Sequence, residues 1–230
     1  MTPDRRYLAA LLLALTYWVS FSSAALAHDV AESDAAFVRQ ISGPAFIPFL
    51  YLGAKHMVTG IDHVLFLVGV VFFLFKLRDV VFYVSMFAIG HSLTLLGGVL
   101  LDTNVNAYIV DAIIGLSVVY KGLENLSTFQ KLGIAIDSRI AVFAFGLAHG
   151  LGLATKLVML SPAENGLIVN LVGFNVGVEV GQILVLAPVV TVLNLLRSAP
   201  GFTAGAVAAN AALVAAGGAL TIYQIKGFLG

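Results

Sequence analysis

Long apolar runs separated by short polar segments make up most of this chain. About 20 apolar residues are enough for a helix to cross the hydrocarbon core of a bilayer, and six runs are of about that length. They cover residues 61–77, 80–101, 107–126, 139–160, 167–196 and 202–225. The runs are continuous and do not alternate with period two, which favours helices over the strands of a barrel. The pattern predicts an all-α fold, a polytopic membrane bundle of six transmembrane helices.

The first 27 residues have the layout of a secretory signal peptide. Two arginines precede a short apolar stretch, and small residues follow in an Ala-x-Ala pattern that ends at Ala27. Cleavage there predicts a mature chain that begins at His28, with a periplasmic or interfacial N-terminal segment at residues 28–60 and a transmembrane domain at residues 61–230. The alternative is an uncleaved anchor helix, although its apolar core is short for a membrane span.

The composition agrees with a membrane protein. Hydrophobic residues make up 60% of the chain and charged residues 10%, whereas soluble domains are about 45–50% apolar and about 25% charged. Twelve basic and twelve acidic residues cancel, so nucleic acid is not expected as a partner. The lipid bilayer is the expected surrounding, and a homo-oligomer is compatible with the sequence.

Basic residues predict the orientation of the chain. They concentrate in the short loops on one side of the predicted bundle, which the positive-inside rule assigns to the cytoplasm. These residues are Lys76, Arg78, Lys121, Lys131, Arg139 and Arg197. The expected location is the bacterial inner (cytoplasmic) membrane, with the mature N-terminus in the periplasm.

Ionisable and amide side chains within the apolar runs are the candidates for chemistry, because such groups are costly at membrane depth and tend to mark a site. The chain has no cysteine, which excludes disulfides and thiolate metal sites. The candidate metal ligands are His28, His56, Asp62, His63, His91, Asp111, His149, Asn175 and Glu179. No residue is assigned a catalytic role.

A first group of candidates lies before and at the outer mouth of the first predicted span. His28 would offer a terminal amine and an imidazole together. On a straight helix His56 and His63 would stand about 10.5 Å apart along the axis, too far for one ion. A break at Gly60 would bring them closer. Alternatively, Asp62 only caps the helix and His63 hydrogen-bonds to a neighbour.

A second group lies deeper. His91 and His149 fall near the middle of the second and fourth predicted spans. Asn175, Glu179 and Gln182 recur at i, i+4 and i+7, which predicts a polar stripe facing the interior of the bundle. Three glycines at four-residue spacing predict a separate smooth stripe against another helix. The alternative for the histidines is a structural role in the core, and for the two amides it is hydrogen bonding between helices.

A short pattern recurs at two positions. Gly-x-x-His-x-Leu-x-Leu begins at Gly60 and again at Gly146. These segments are three crossings apart, so a three-helix repeat would be inverted in the membrane, as in many transporters. Leucine-rich helices also produce such matches by coincidence.

The residues resemble the HupE/UreJ membrane proteins, specifically the second HupE/UreJ subgroup. The most specific element is a His-x5-Asp-His motif, matched by His56, Asp62 and His63. Further matching stretches are residues 90–95, 146–154 and 174–182. The resemblance covers nearly all of the mature chain. It implies a nickel or cobalt permease associated with hydrogenase and urease maturation.

The resulting hypothesis is a permease, not an enzyme, for a divalent cation, Ni²⁺ or Co²⁺, with no tightly bound cofactor. Residues at the mouth would capture the ion, and His91, His149, Asn175 and Glu179 would form a weaker site along the path. Two alternatives remain open. One is an intramembrane redox protein in which paired histidines hold a haem or a metal. The other is a membrane chaperone that binds metal without moving it.

Overall fold

The computed structural model describes residues 32–160 and 164–230, with side chains from residue 35 onward. The predicted signal peptide and His28 lie outside these residues. The described part is all-α and contains no strand, which confirms the all-α part of the predicted fold class. Its helices are α1 (Glu32–Gln40), α2 (Phe46–Thr59), α3 (Ile61–Val71), α4 (Leu77–Leu100), α5 (Ala107–Asn125), α6 (Thr128–Lys131), α7 (Ser138–Met159), α8 (Leu167–Leu196) and α9 (Phe202–Leu229).

Several of these helices can cross a membrane. Four helices, α4, α7, α8 and α9, are long and apolar enough by themselves, and α2 with α3 qualifies as a pair bent by 68°. The described residues therefore contain four or five candidate spans. Helix α5 occupies the third predicted span but carries Asp111, Lys121 and Glu124. The count of six spans stays a prediction.

The bend between α2 and α3 lies at Gly60, where the sequence predicted a break. Gly60 has an extended backbone with φ of −71° and ψ of 97°. Its N–H donates to the carbonyl oxygen of His56 at 2.8 Å, which closes the last turn of α2. The chain then starts α3 in a new direction, so the two helices that carry the His-x5-Asp-His motif no longer share an axis.

Three helix pairs form the framework: α2 with α8, α4 with α7, and α5 with α9. Each pair packs through glycines, which let backbones approach closely where lipid supplies little hydrophobic driving force. The predicted glycine stripe on α8, at Gly173, Gly177 and Gly181, faces α2. A Cβ atom placed on Gly181 would lie 2.6 Å from the Cβ of Met57. The segment that the sequence assigned to the N-terminal region therefore packs along α8.

Helix α3 lies inside this framework. All of its residues from Asp62 to Val71 are buried. The guanidinium of Arg197, just after α8, donates to the carbonyl oxygens of Val71 at 3.2 Å and Phe72 at 2.8 Å. These bonds satisfy carbonyl groups that the end of a helix leaves without a partner in the helix. A buried α3 carries His63 into the centre of the bundle.

Candidate metal centre

Four histidines from four helices converge around α3. His63 is at the centre: its ring centroid lies 5.0 Å from that of His56 on α2, 5.8 Å from that of His91 on α4 and 4.5 Å from that of His149 on α7. The prediction of one group at the outer mouth and another along the path is wrong for these histidines. The bend at Gly60 and the burial of α3 bring both groups into one cluster.

Burial differs within the cluster. His63, His91 and His149 are 0% exposed, and Asp62 is 4% exposed. His56, on the last turn of α2, is half-buried. Among the four histidines, His56 is therefore the one nearest to the outside of the bundle.

The cluster offers two overlapping sets of three ligands. One consists of His56, His63 and His91, and the other of Asp62, His63 and His149; within each set the ligand atoms lie within 4.8 Å of one another. Ligand atoms around one ion bound at about 2.0–2.1 Å are roughly 3–4 Å apart. A small inward movement of the side chains would therefore close either set on a cation. His63 belongs to both sets.

Hydrogen bonds to neighbouring side chains orient the rings of two of the histidines. The Nδ1 of His63 lies 3.1 Å from Oδ1 of Asp62. If Nδ1–H donates to this carboxylate, Nε2 carries the lone pair that a cation needs, as in carboxylate–histidine–metal arrangements.

His149 is oriented by a residue that sequence reasoning missed. Ser117 on α5 donates its hydroxyl hydrogen to the carbonyl oxygen of Ile114 at 2.6 Å, and its Oγ lies 3.2 Å from Nε2 of His149. Since that hydrogen is committed, Oγ accepts from Nε2–H, and Nδ1 of His149 carries the lone pair. Nothing in the sequence distinguishes Ser117 from any other serine on a membrane helix.

His91 is the member whose polarity is least satisfied. Among the described residues, neither of its ring nitrogens has a hydrogen-bond partner, although its side chain is fully buried. Burying a polar group without a partner costs about 1–3 kcal/mol. A cation bound between His91 and His63 would give one of the two nitrogens a partner and remove part of this cost.

Aromatic rings enclose the cluster. Phe87 stacks on His91 with a centroid distance of 6.1 Å, Phe66 lies 5.4 Å from His149, and Phe174 lies 5.9 Å from His56. Apolar walls exclude water and strengthen electrostatic interactions inside. A cation held here would therefore depend on the imidazoles and the Asp62 carboxylate, and not on water, for its stabilisation.

A family model for HupE / UreJ proteins matches residues 32–230. The chain belongs to the HupE/UreJ family. This confirms the resemblance found from the His-x5-Asp-His motif, and the match includes every described helix. Comparisons with curated proteins and with solved structures gave no match.

In this HupE/UreJ protein, Asp111 is placed beside the cluster but outside both ligand sets. Its Oδ2 accepts from the Nζ of Lys156 at 3.0 Å, and the two side chains are 7% and 13% exposed. A Cβ atom placed on Gly152, three residues after His149 on α7, would lie 3.5 Å from Oδ1 of Asp111. The sequence analysis did not connect Lys156 with Asp111. The signal it overlooked is that a carboxylate at membrane depth requires a cation.

The polar stripe predicted on α8 is only partly inside. Asn175 is 8% exposed and Gln182 is 2% exposed, whereas Glu179 is exposed on the outer surface of the helix. Asn175 donates to the carbonyl oxygen of Leu171 at 3.0 Å. None of these three side chains belongs to either ligand set, so the prediction that Glu179 faces the interior is wrong.

Proposed function

We propose that this protein is a permease that moves a divalent first-row cation, Ni²⁺ or Co²⁺, across the bacterial inner membrane. The observation that carries the proposal is the cluster of four histidines and Asp62 inside a bundle of membrane-length helices. Membership of a family associated with nickel and cobalt transport supports it. The predicted orientation, with the mature N-terminus in the periplasm, would present the half-buried His56 to incoming ions.

The ligand types fit this cargo. Imidazole suits nickel and cobalt, a carboxylate offsets part of the charge of a dication, and the lack of cysteine argues against a Cu(I) site. Transport also requires binding that is weak enough for release.

The packing of the cluster favours a cation over haem. The ring of His63 is in contact with the rings of His56 and His149. A porphyrin could be placed between these side chains only by separating them and the helices that carry them. A single ion requires a much smaller movement.

Polar groups beyond the cluster favour movement of the ion over storage. Lys156 and Asp111 form an ion pair between α7 and the first part of α5. Near the other ends of the two helices, Lys121 donates to Glu124 and, at 3.1 Å, to the Oγ of Ser138. The interface of α5 and α7 therefore carries charged groups on both sides of the histidines, which a protein that only stores metal does not need.

The test uses purified protein in proteoliposomes. We expect a colourless protein, a melting temperature raised by Ni²⁺ because ligand binding stabilises the native state, and Ni²⁺ uptake that His63→Ala abolishes. Gln130→Ala, at an exposed position on α6, is the matched control and should take up Ni²⁺ normally. A strong Soret band would contradict the proposal in favour of the haem alternative. Stabilisation by Ni²⁺ without uptake would favour the chaperone.

A further inference from the structure

Two of the three helix pairs make the same contact at matched positions. A Cβ atom placed on Gly53 of α2 would lie 3.1 Å from the Cα of Phe174 on α8. A Cβ atom placed on Gly146 of α7 would lie 3.1 Å from the Cα of Phe87 on α4. Gly146 is 93 positions after Gly53 in the chain, and Phe87 is 87 positions before Phe174.

A second contact repeats with the same two shifts. A Cβ atom on Gly177 of α8 would lie 2.9 Å from the backbone N of Ala54 on α2, and a Cβ atom on Gly90 of α4 would lie 3.0 Å from the backbone N of Leu147 on α7. The pair α2–α8 and the pair α7–α4 are therefore packed in one register. In both pairs the two helices run parallel.

The third pair, α5 with α9, is equivalent to itself, because each of its two helices is the counterpart of the other. A Cβ atom on Gly122 of α5 would lie 2.9 Å from the carbonyl oxygen of Asn210 on α9, and a Cβ atom on Gly217 of α9 would lie 2.8 Å from the carbonyl oxygen of Gly115 on α5. Both positions shift by 95 residues, in opposite directions. Helices α5 and α9 run antiparallel, so an operation that exchanges them reverses direction along the helices. This is an approximate twofold axis across the bundle.

The structural register differs from the one suggested by the sequence. The sequence pattern matched Gly60 and His63 to Gly146 and His149, but the contacts match Gly53 to Gly146. With the same shift of 93, His56 is the equivalent of His149. His56 and His149 thus reach the cluster from equivalent positions in the two copies.

A compensating exchange of large and small residues hides the repeat in the sequence. Gly181 packs against Met57, and at the equivalent contact Thr94 packs against Gly150. In one copy the small residue is on one helix, and in the other copy it is on the partner helix. The space between the helices is filled in both copies, but the residue types at equivalent positions differ.

The two copies differ in shape at one place. Helix α2 ends at the bend at Gly60, whereas α7 continues unbroken to Met159. Helix α7 packs on α5, where a Cβ atom on Gly152 would lie 3.1 Å from Cδ1 of Ile114. Within the described residues, the equivalent helices α2 and α9 have no comparable interface. The equivalents of Gly152 and Ile114 are Thr59 and Ala209.

We propose that residues 46–125 and 138–229 are two inverted copies of one unit, and that the cation crosses when the copies exchange shapes around the histidine cluster. The exchange rests on the proposed permease function; the repeat does not. After the exchange α2 packs on α9, with Thr59 against Ala209 as Gly152 now lies against Ile114. His56 and His149, one from each copy, each belong to one of the two ligand sets that share His63.

The register is tested by transplanting one contact. Gly181→Thr places a side chain against Met57 and lowers the melting temperature, and Met57→Gly lowers it by leaving a cavity. The double variant Met57→Gly/Gly181→Thr copies the contact of Gly150 and Thr94 and should melt higher than either single variant. A double variant that loses at least the sum of the two single losses would overturn the register. This measurement needs no metal.

The exchange is tested by pairs of engineered cysteines, since the chain has none of its own. Gly152→Cys/Ile114→Cys should cross-link in metal-free vesicles, and its disulfide should stop Ni²⁺ uptake until a reductant is added. Thr59→Cys/Ala209→Cys should cross-link only when the other conformation is visited, faster with Ni²⁺ than without. The four single-cysteine variants are the matched controls.

The outcomes separate the two proposals. Uptake that continues with the Gly152–Ile114 disulfide formed overturns the exchange. So does a Thr59–Ala209 pair that never cross-links during prolonged oxidation, whether or not the vesicles transport. Cross-linking of that pair in vesicles that take up no Ni²⁺ supports the exchange and contradicts the cargo instead.

Discussion

The histidine cluster and Glu179 are both ionisable groups within apolar helices, and the structure treats them differently. His63 is fully buried against three other histidines, whereas Glu179 is exposed on the outer surface of α8. Both were predicted from the same evidence, a costly side chain at membrane depth. The difference shows that the side of the helix decides whether such a group joins a site.

The geometry of α8 explains why Glu179 is outside. A step of four residues advances about 40° beyond a full turn, and a step of seven falls about 20° short of two turns. Asn175 and Gln182 therefore stay on one buried face while Glu179 lies at its edge. The glycine stripe packs the opposite side of α8 on α2, which leaves the face next to Glu179 open.

The largest effect is expected from His63→Ala. His63 belongs to both ligand sets, so its loss leaves two ligands in each. We expect Ni²⁺ affinity to fall by about 100-fold or more, equal to about 2.7 kcal/mol, measured by titration calorimetry. The melting temperature without metal checks that the variant folds. A folded variant whose Ni²⁺ affinity stays within about tenfold of wild type would show that the histidine cluster is not the binding site and does not differ from Glu179 in this respect.

The next effect tests the equivalence of the two copies. His56 and His149 each belong to one ligand set. We expect His56→Ala and His149→Ala to weaken Ni²⁺ binding by similar amounts, about tenfold each, or about 1.4 kcal/mol. The same titrations measure both. If one variant binds normally and the other does not bind at all, only one ligand set is used.

Local features of the fold were predictable from the sequence. The break at Gly60 and the glycine stripe on α8 depend on residues close together in the chain, and both are confirmed. His56, Asp62 and His63 were recognised as one group because a motif joins them.

Features that depend on several helices were not predictable in this way. The approach of His91 and His149 to His63 depends on how α4 and α7 pack on a bent α2–α3, which residue spacing does not encode. The pairing of Lys156 with Asp111 joins positions 45 residues apart. The register of the repeat was missed because the large and small residues at the Met57 contact have changed places.

A smaller effect on the cluster is expected from the ion pair beside it. Lys156→Met removes a positive charge and leaves the carboxylate of Asp111, so the cation would bind more tightly. The lysine lies outside both ligand sets, so we expect a fall of about fivefold in Kd, or roughly 1 kcal/mol. Lys156→Met/Asp111→Asn restores the balance of charge and should return Kd to the wild-type value. A double variant that still binds more tightly would show an effect of shape and not of charge.

The smallest effect is expected from Glu179→Gln. The side chain is outside both ligand sets and exposed on α8, so its charge is not a counter-charge for an ion among the histidines. We expect Kd for Ni²⁺ and the maximal uptake rate to stay within about twofold of wild type. The melting temperature in lipid should be equal or higher, because an amide is less costly than a carboxylate on a surface that faces hydrocarbon. Val176→Gln, also on the exposed side of α8, is the matched control for adding an amide there. Normal binding with abolished uptake in Glu179→Gln alone would mean that this carboxylate serves a step of transport other than binding. The difference between the buried histidines and the exposed Glu179 would then apply only to binding.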